Sequence, residues 1–121
     1  MQISHLGLDG IDPVEYANSG QPTKGNPQFK TKLRDVTYCF CNSRNMEHFH
    51  NNPEQYLPQL DGCCAFHYAV YGKRVRVTAQ YSNVVGGRIY LYATPLYRFL
   101  GRFVPGLLAR AQSKFRQIRS R

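Results

Sequence analysis

The residues able to do chemistry in this 121-residue chain are four cysteines, four histidines and seven carboxylates. Cys39 and Cys41 are separated by one residue, so on a strand they share a face. Cys63 and Cys64 are neighbours, which bridge poorly; spacing leaves a Cys41–Cys64 bridge open, but the expectation is reduced, partly buried thiols. If residues 63–71 are helical, Cys63 and Cys64 lie four and three positions before His67, close enough to ligate a metal or to form a thiolate beside an imidazole. Cys41, Cys64 and His67 are therefore the candidate metal ligands, with copper or zinc as the metals that such donors suit. The competing reading is a small-residue helix packed on a sheet with His67 hydrogen-bonded in place. With so few ligands, that reading expects no cofactor. His48 and His50 point in different directions on a helix and make no ligand pair, and His5 lies in a leading segment. The chain contains no H-E-x-x-H, no glycine-rich phosphate loop and no nucleophile elbow. The expectation is a protein that is not an enzyme and takes no small-molecule substrate.

Charge placement says more than net charge. Every acid lies at or before Asp61, where seven acids stand against five bases; residues 62–121 hold eleven bases and no acid. Such a half-chain cannot neutralise itself and should attract an acidic protein face, an anionic membrane surface or a phosphate backbone. Arg88-Ile89-Tyr90-Leu91-Tyr92 interleaves charge and aromatics as a base-stacking platform would. It lacks the aromatic phrase or GxxG loop of known RNA-binding folds, so nucleic acid ranks below the other two partners.

The elements that must position these groups read as follows. Residues 1–27 are loop-rich, with Asp12 capping a short helix that has Pro13 at its first position. Residues 29–34 alternate as a strand, Asp35 marks a turn, and 36–41 returns as the second strand of a hairpin. Asn42 or Ser43 caps a helix to about residue 51, a single turn follows at 53–57, and 63–71 is a buried helix ended by Gly72. A strand begins at Val75 and Val77, and another runs over 88–92 after the Gly86-Gly87 turn. Thr94-Pro95 starts a helix whose Leu96, Phe99, Leu100 and Phe103 are expected to cover the sheet. Pro105 interrupts the helical ladder and starts a second helix. Its Leu107, Leu108, Ala111, Phe115 and Ile118 fall within roughly a 100° arc among basic side chains. At 42 % apolar and 13 % aromatic, the composition supports a packed core. No uncharged apolar run approaches the roughly 20 residues a membrane span requires.

Several phrases resemble one family in order along nearly the whole chain: Gly10-x-Asp12-Pro13-Val14-x-Tyr16, Lys24-Gly25-Asn26-Pro27-Gln28-Phe29, Tyr38-x-Phe40 with Phe49, Asn52-Pro53-Glu54-Gln55-Tyr56-Leu57-Pro58-Gln59, Gly62-x-Cys64-Ala65, Gly87-Arg88-Ile89-Tyr90-Leu91 and Val104-Pro105-Gly106. They are similar to the YHS-domain proteins of the stand-alone type. Related modules attached to heavy-metal pumps hold a transition metal with three cysteines, whose positions here are Glu15, Cys41 and Asn45. One thiol, one carboxylate and one amide make a poor thiolate site. Residues 73–85 also depart from the family, lacking its usual aspartate and tryptophan.

The resemblance and the pattern together imply an α+β fold. A small antiparallel sheet with short helices over residues 1–93 is followed by a kinked, basic, amphipathic helical extension over 94–121. The expected role is a non-catalytic YHS-like binding or accessory module, docked by that extension onto a larger complex that is acidic or membrane-associated. The docking residues named by the pattern are Arg98, Arg102, Arg110, Lys114, Phe115, Arg116, Ile118 and Arg119. Removing residues 106–121 is expected to abolish docking while leaving the domain folded. The alternatives are a copper- or zinc-binding module and, third, a ribosomal or other RNA-associated protein. The opening MQISHLGLDG is neither a secretory signal nor an arginine-rich transit peptide. The expected location is soluble or peripheral, not secreted, with an organellar membrane complex compatible because a presequence already removed leaves no trace.

Overall fold

A computed structural model describes the backbone of residues 5–119 and the side chains of residues 6–117. It is an α+β structure of two small sheets, short helices and a helical C-terminal segment. Residues 1–57 with 86–89 form one compact unit, and residues 58–85 with 90–121 form a second.

Unit one is organised by local signals that the sequence states openly. Asp12 caps α1 (Pro13–Ser19), its Oδ1 accepting from the backbone N–H groups of Val14 and Glu15 at 2.8 and 3.0 Å. These are donors that the first helical turn leaves without partners. β2 (Asn26–Leu33) and β3 (Val36–Phe40) pair antiparallel through a two-residue turn, with an irregular register between Asn26 and Lys30. The two-residue β1 (His5–Leu6) adds to the other edge of β3 in parallel. Asn42 caps α2 (Ser43–Asn51), and Pro53 opens the single turn α3 (Pro53–Tyr56). Phe49 on α2 lies 5.2 Å, ring to ring, from both Tyr38 and Phe40 on β3, joining helix to sheet.

Unit two is built around α4 (Ala65–Tyr71), which Gly72 ends with φ +66, a left-handed value glycine adopts without a Cβ clash. β4 (Tyr81–Val85) and β5 (Arg88–Tyr92, whose first two residues are counted with unit one) form the second, antiparallel sheet. Thr94 caps α5 (Pro95–Phe103) by accepting from Tyr97 N at 3.1 Å. α5 ends at Val104; Pro105 and Gly106 (φ +81) separate it from α6 (Leu107–Arg119). The expected strand at Val75 and Val77 is instead irregular chain with one isolated bridge, Cys63 to Arg76; the extended segment begins later, at Tyr81.

The core of unit two holds Leu60, Cys63, Cys64, Ala65, Tyr68, Ala69, Tyr90, Tyr92, Leu107 and Ala111. Small side chains bring α4 and α6 together: Ala65 and Ala69 on one helix, Ala111 on the other, each essentially without exposure. Deleting residues 106–121 therefore removes core, contrary to the expectation that the domain would survive the cut.

Candidate functional site

The candidate metal ligands are not brought together. Cys41 belongs to unit one and Cys64 and His67 to unit two. Among the described residues, no three His, Cys, Asp or Glu side chains converge in a metal-holding group. All four cysteines are free thiols. Cys64 has a structural job: its N–H donates to Val75 O at 2.8 Å, and its Sγ accepts from Ala93 N at 3.3 Å. Burial pushes the Cys63 thiol up, a rise that Arg76 and Arg74 oppose. His67 stands among the rings of Phe66, Tyr71 and Tyr97, the last 5.4 Å away edge-on, and its Nδ1 is buried without a hydrogen bond.

The positions Glu15, Cys41 and Asn45 do meet, around the fully buried carboxylate of Asp12. Asp12 Oδ2 accepts from Cys41 N at 2.6 Å and from Asn45 Nδ2 at 2.8 Å. The same Asn45 amide donates to Glu15 Oε1 at 3.4 Å. Thus Asn45 supplies a donor where a metal site would need another ligand. The Cys41 thiol, which donates to Lys24 O at 3.6 Å, is pushed up to about 11. Burial is the main cause, followed by a hydrogen bond to Asp12 and the charges of Asp12 and Glu15. A thiol held in its protonated form is a weak ligand and a weak nucleophile.

The proposed stacking platform is also internal. Tyr90 and Tyr92 are buried; Tyr92 donates its hydroxyl to Asn83 Oδ1 at 3.1 Å, and Tyr90 Oη accepts from Gln112 Nε2 at 3.1 Å. Neither ring presents a face on which a base could stack.

The helical extension reverses the expected division of labour. α6 turns its apolar stripe inward: Leu107 and Ala111 are core, Leu108 and Phe115 pack against it, and Phe115 meets Tyr68 edge-on at 5.7 Å. Phe115 is thus a packing residue rather than a partner-facing one. Arg110 and Arg116 are exposed, and Lys114 is half-buried. The side chains of Ile118 and Arg119 lie outside the described residues.

α5, expected to cover the sheet with Leu96, Phe99 and Phe103, points them outward: they are 61, 57 and 61 % exposed, and Val104 is exposed beside them. Phe99 and Phe103, one helical turn apart, hold their rings 4.8 Å apart. The inward face of α5 is carried by Tyr97, Leu100 and Gly101. Tyr97 stacks on Phe66 at 4.0 Å, nearly parallel, and Gly101 sits so close to the Tyr92 hydroxyl that a Cβ would collide with it. Arg98 and Arg102 flank the outward stripe, Arg98 near the ring of Tyr81 and Arg102 near that of Phe103. Neither has a carboxylate within ion-pair distance among the described residues. The signal for this orientation was Gly101: a glycine inside a capped helix marks the line of closest approach to the core.

No helix among the described residues is long and apolar enough to cross a membrane. Comparison with known protein families, with curated proteins and with solved structures returns no match.

Proposed function

We propose that this chain is a non-catalytic accessory module, YHS-like in sequence pattern, that docks onto a larger assembly bearing an anionic surface, with α5 as its docking element. One observation carries the reading: Leu96, Phe99 and Phe103 stand exposed beside Arg98 and Arg102, in a half-chain that contains no carboxylate after Asp61. An apolar stripe next to guanidinium groups with no carboxylate at ion-pair distance among the described residues is matched by a surface offering both apolar contact and negative charge. The nucleophilic side chains support the same reading, since Cys64 is a core hydrogen-bond acceptor and Cys41 is held protonated.

The test is to compare the intact chain with Phe99→Ser/Phe103→Ser in the cells it comes from, following each through gentle lysis and density-gradient separation. The intact chain is expected to sediment with a large assembly and the variant as the free protein, with an unchanged circular dichroism spectrum. A variant that stays in the heavy fractions refutes the assignment of α5.

A further inference from the structure

We infer that the anionic surface met by α5 is a lipid bilayer, so that the module is held at a membrane–water interface with Leu96, Phe99, Phe103 and Val104 among the acyl chains and Arg98 and Arg102 at the phosphates. This rests on the docking role of α5 proposed above and names its partner.

Three observations favour lipid over an acidic protein face. First, the outward stripe carries no hydrogen-bonding side chain: its members are one leucine, two phenylalanines and a valine at positions 96, 99, 103 and 104. A protein groove gains specificity from placed polar partners, whereas an interfacial helix requires only an apolar face and a cationic border.

Second, the arginines border the stripe along one helix edge. Arg98 and Arg102 are one turn apart, with the Arg102 guanidinium 5.8 Å from the Phe103 ring centre. Arginine in that position lays its methylene stem along apolar surface while its head reaches outward to phosphate.

Third, the positive charge is diffuse. Lys73, Arg74, Arg76, Arg110 and Arg116 are further exposed bases of unit two, and the unit has a single carboxylate, Asp61, which stands 3.9 Å from Arg74. A protein partner would have to place acids opposite particular bases. A leaflet of anionic headgroups offers charge everywhere and attracts each base near it.

The experiment is flotation of the purified full-length chain with vesicles of phosphatidylcholine alone and of phosphatidylcholine mixed with phosphatidylserine. The chain is expected to float with the anionic vesicles and to be released as salt rises. Phe99→Ser/Phe103→Ser should weaken that binding about a hundredfold, since each of the two rings removed from acyl contact forfeits about a decade in affinity. Arg98→Glu/Arg102→Glu should weaken it by about thirtyfold or more, two bases being lost and two repelling charges gained. Lys30→Glu/Lys32→Glu, the same charge change on β2 of unit one, should weaken it less than the α5 variant does. Circular dichroism and melting temperature confirm that each variant is folded.

The inference is overturned if the intact chain stays in solution with the anionic vesicles, or if the double serine variant floats as well as the parent. It is also overturned if the β2 variant loses as much as the α5 one, which would make the attraction one of net charge alone. Absent flotation combined with an α5-dependent heavy fraction in cells leaves the docking proposal standing and identifies an acidic protein as the partner. Loss of both dependences removes both.

Discussion

Asp12 should be irreplaceable by its own isostere. All of its side-chain partners are donors: Val14 N and Glu15 N at Oδ1, Cys41 N and Asn45 Nδ2 at Oδ2. A carboxylate is acceptor-only and satisfies all of them; an amide offers one oxygen and one NH₂ group. In Asp12→Asn, turning the oxygen towards the helix keeps the cap, because asparagine caps as well as aspartate. The NH₂ then faces two further N–H groups inside a fully buried pocket. Leaving a buried donor unpaired costs about 1–3 kcal/mol. Cys41 N loses its acceptor, Asn45 Nδ2 keeps only Glu15 Oε1 at 3.4 Å, and with the lost charge-assisted bonds the cost is about 3–4 kcal/mol.

Asp12→Ala loses the cap as well but introduces no opposing donor, and it should fall within about 1 kcal/mol of the asparagine variant. The assay is urea unfolding followed by circular dichroism, with thermal melting alongside. For a unit of this size, 3–4 kcal/mol corresponds to a drop of about 12–32 °C in melting temperature. Because the chain holds two compact units, the slopes of the urea transitions show whether unit one unfolds separately. If Asp12→Asn melts with the parent while Asp12→Ala does not, Asp12 is only a helix cap and the reasoning about Oδ2 is wrong.

Two further outcomes follow from the same geometry. Cys41 should alkylate slowly with iodoacetamide at pH 8, where a thiol titrating near 11 is only about one-thousandth thiolate. Its raised value means that the folded state favours the protonated form. Cys41 therefore supports stability below the ordinary thiol range and loses that support as pH climbs through about 11; mass spectrometry reads the first effect and melting against pH the second. Rapid labelling at pH 8 in the folded protein would contradict both. Phe115→Ala should lower stability by about 2 kcal/mol, since a half-buried ring loses its contact with Tyr68. Vesicle flotation of the fraction that remains folded should be unchanged, and a binding defect in a fully stable variant would return Phe115 to the docking surface.

The legible parts of this fold are those in which one residue does one local job. Asp12, Asn42 and Thr94 cap the helices they precede, and Pro13 and Pro95 occupy first positions that require no N–H. The hairpin of β2 and β3 was visible in alternation, although its first strand begins earlier, at Asn26. β4 was not visible because its inward residue is polar. Asn83 is buried, accepting from the Tyr92 hydroxyl and donating to Arg98 O at 3.5 Å, so Tyr81–Val85 shows no clean apolar period. Val75-Arg76-Val77 does alternate, yet Val75 O is engaged by Cys64 N and the segment makes only a single bridge. Alternation without a continuous partner does not make a strand. The convergence of Glu15, Cys41 and Asn45 on Asp12 joins residues up to 33 positions apart, and only the resemblance to a family drew attention to those positions.

The candidate surface was hidden for a different reason: α5 and α6 each have an apolar side, and periodicity does not say which side reaches the core. That choice is made by complementary shape. α6 meets the small faces of Ala65 and Ala69 with Leu107 and Ala111, so its stripe closes against α4. α5 has two apolar arcs, and the arc containing Gly101 is the one that fits beneath Tyr92. Once Gly101 lies inward, the 3.6-residue repeat carries Leu96, Phe99 and Phe103 round to the solvent side together with Arg102. The same glycine that seats the helix therefore exposes its phenylalanines, and the proposed docking surface is a consequence of how α5 is packed.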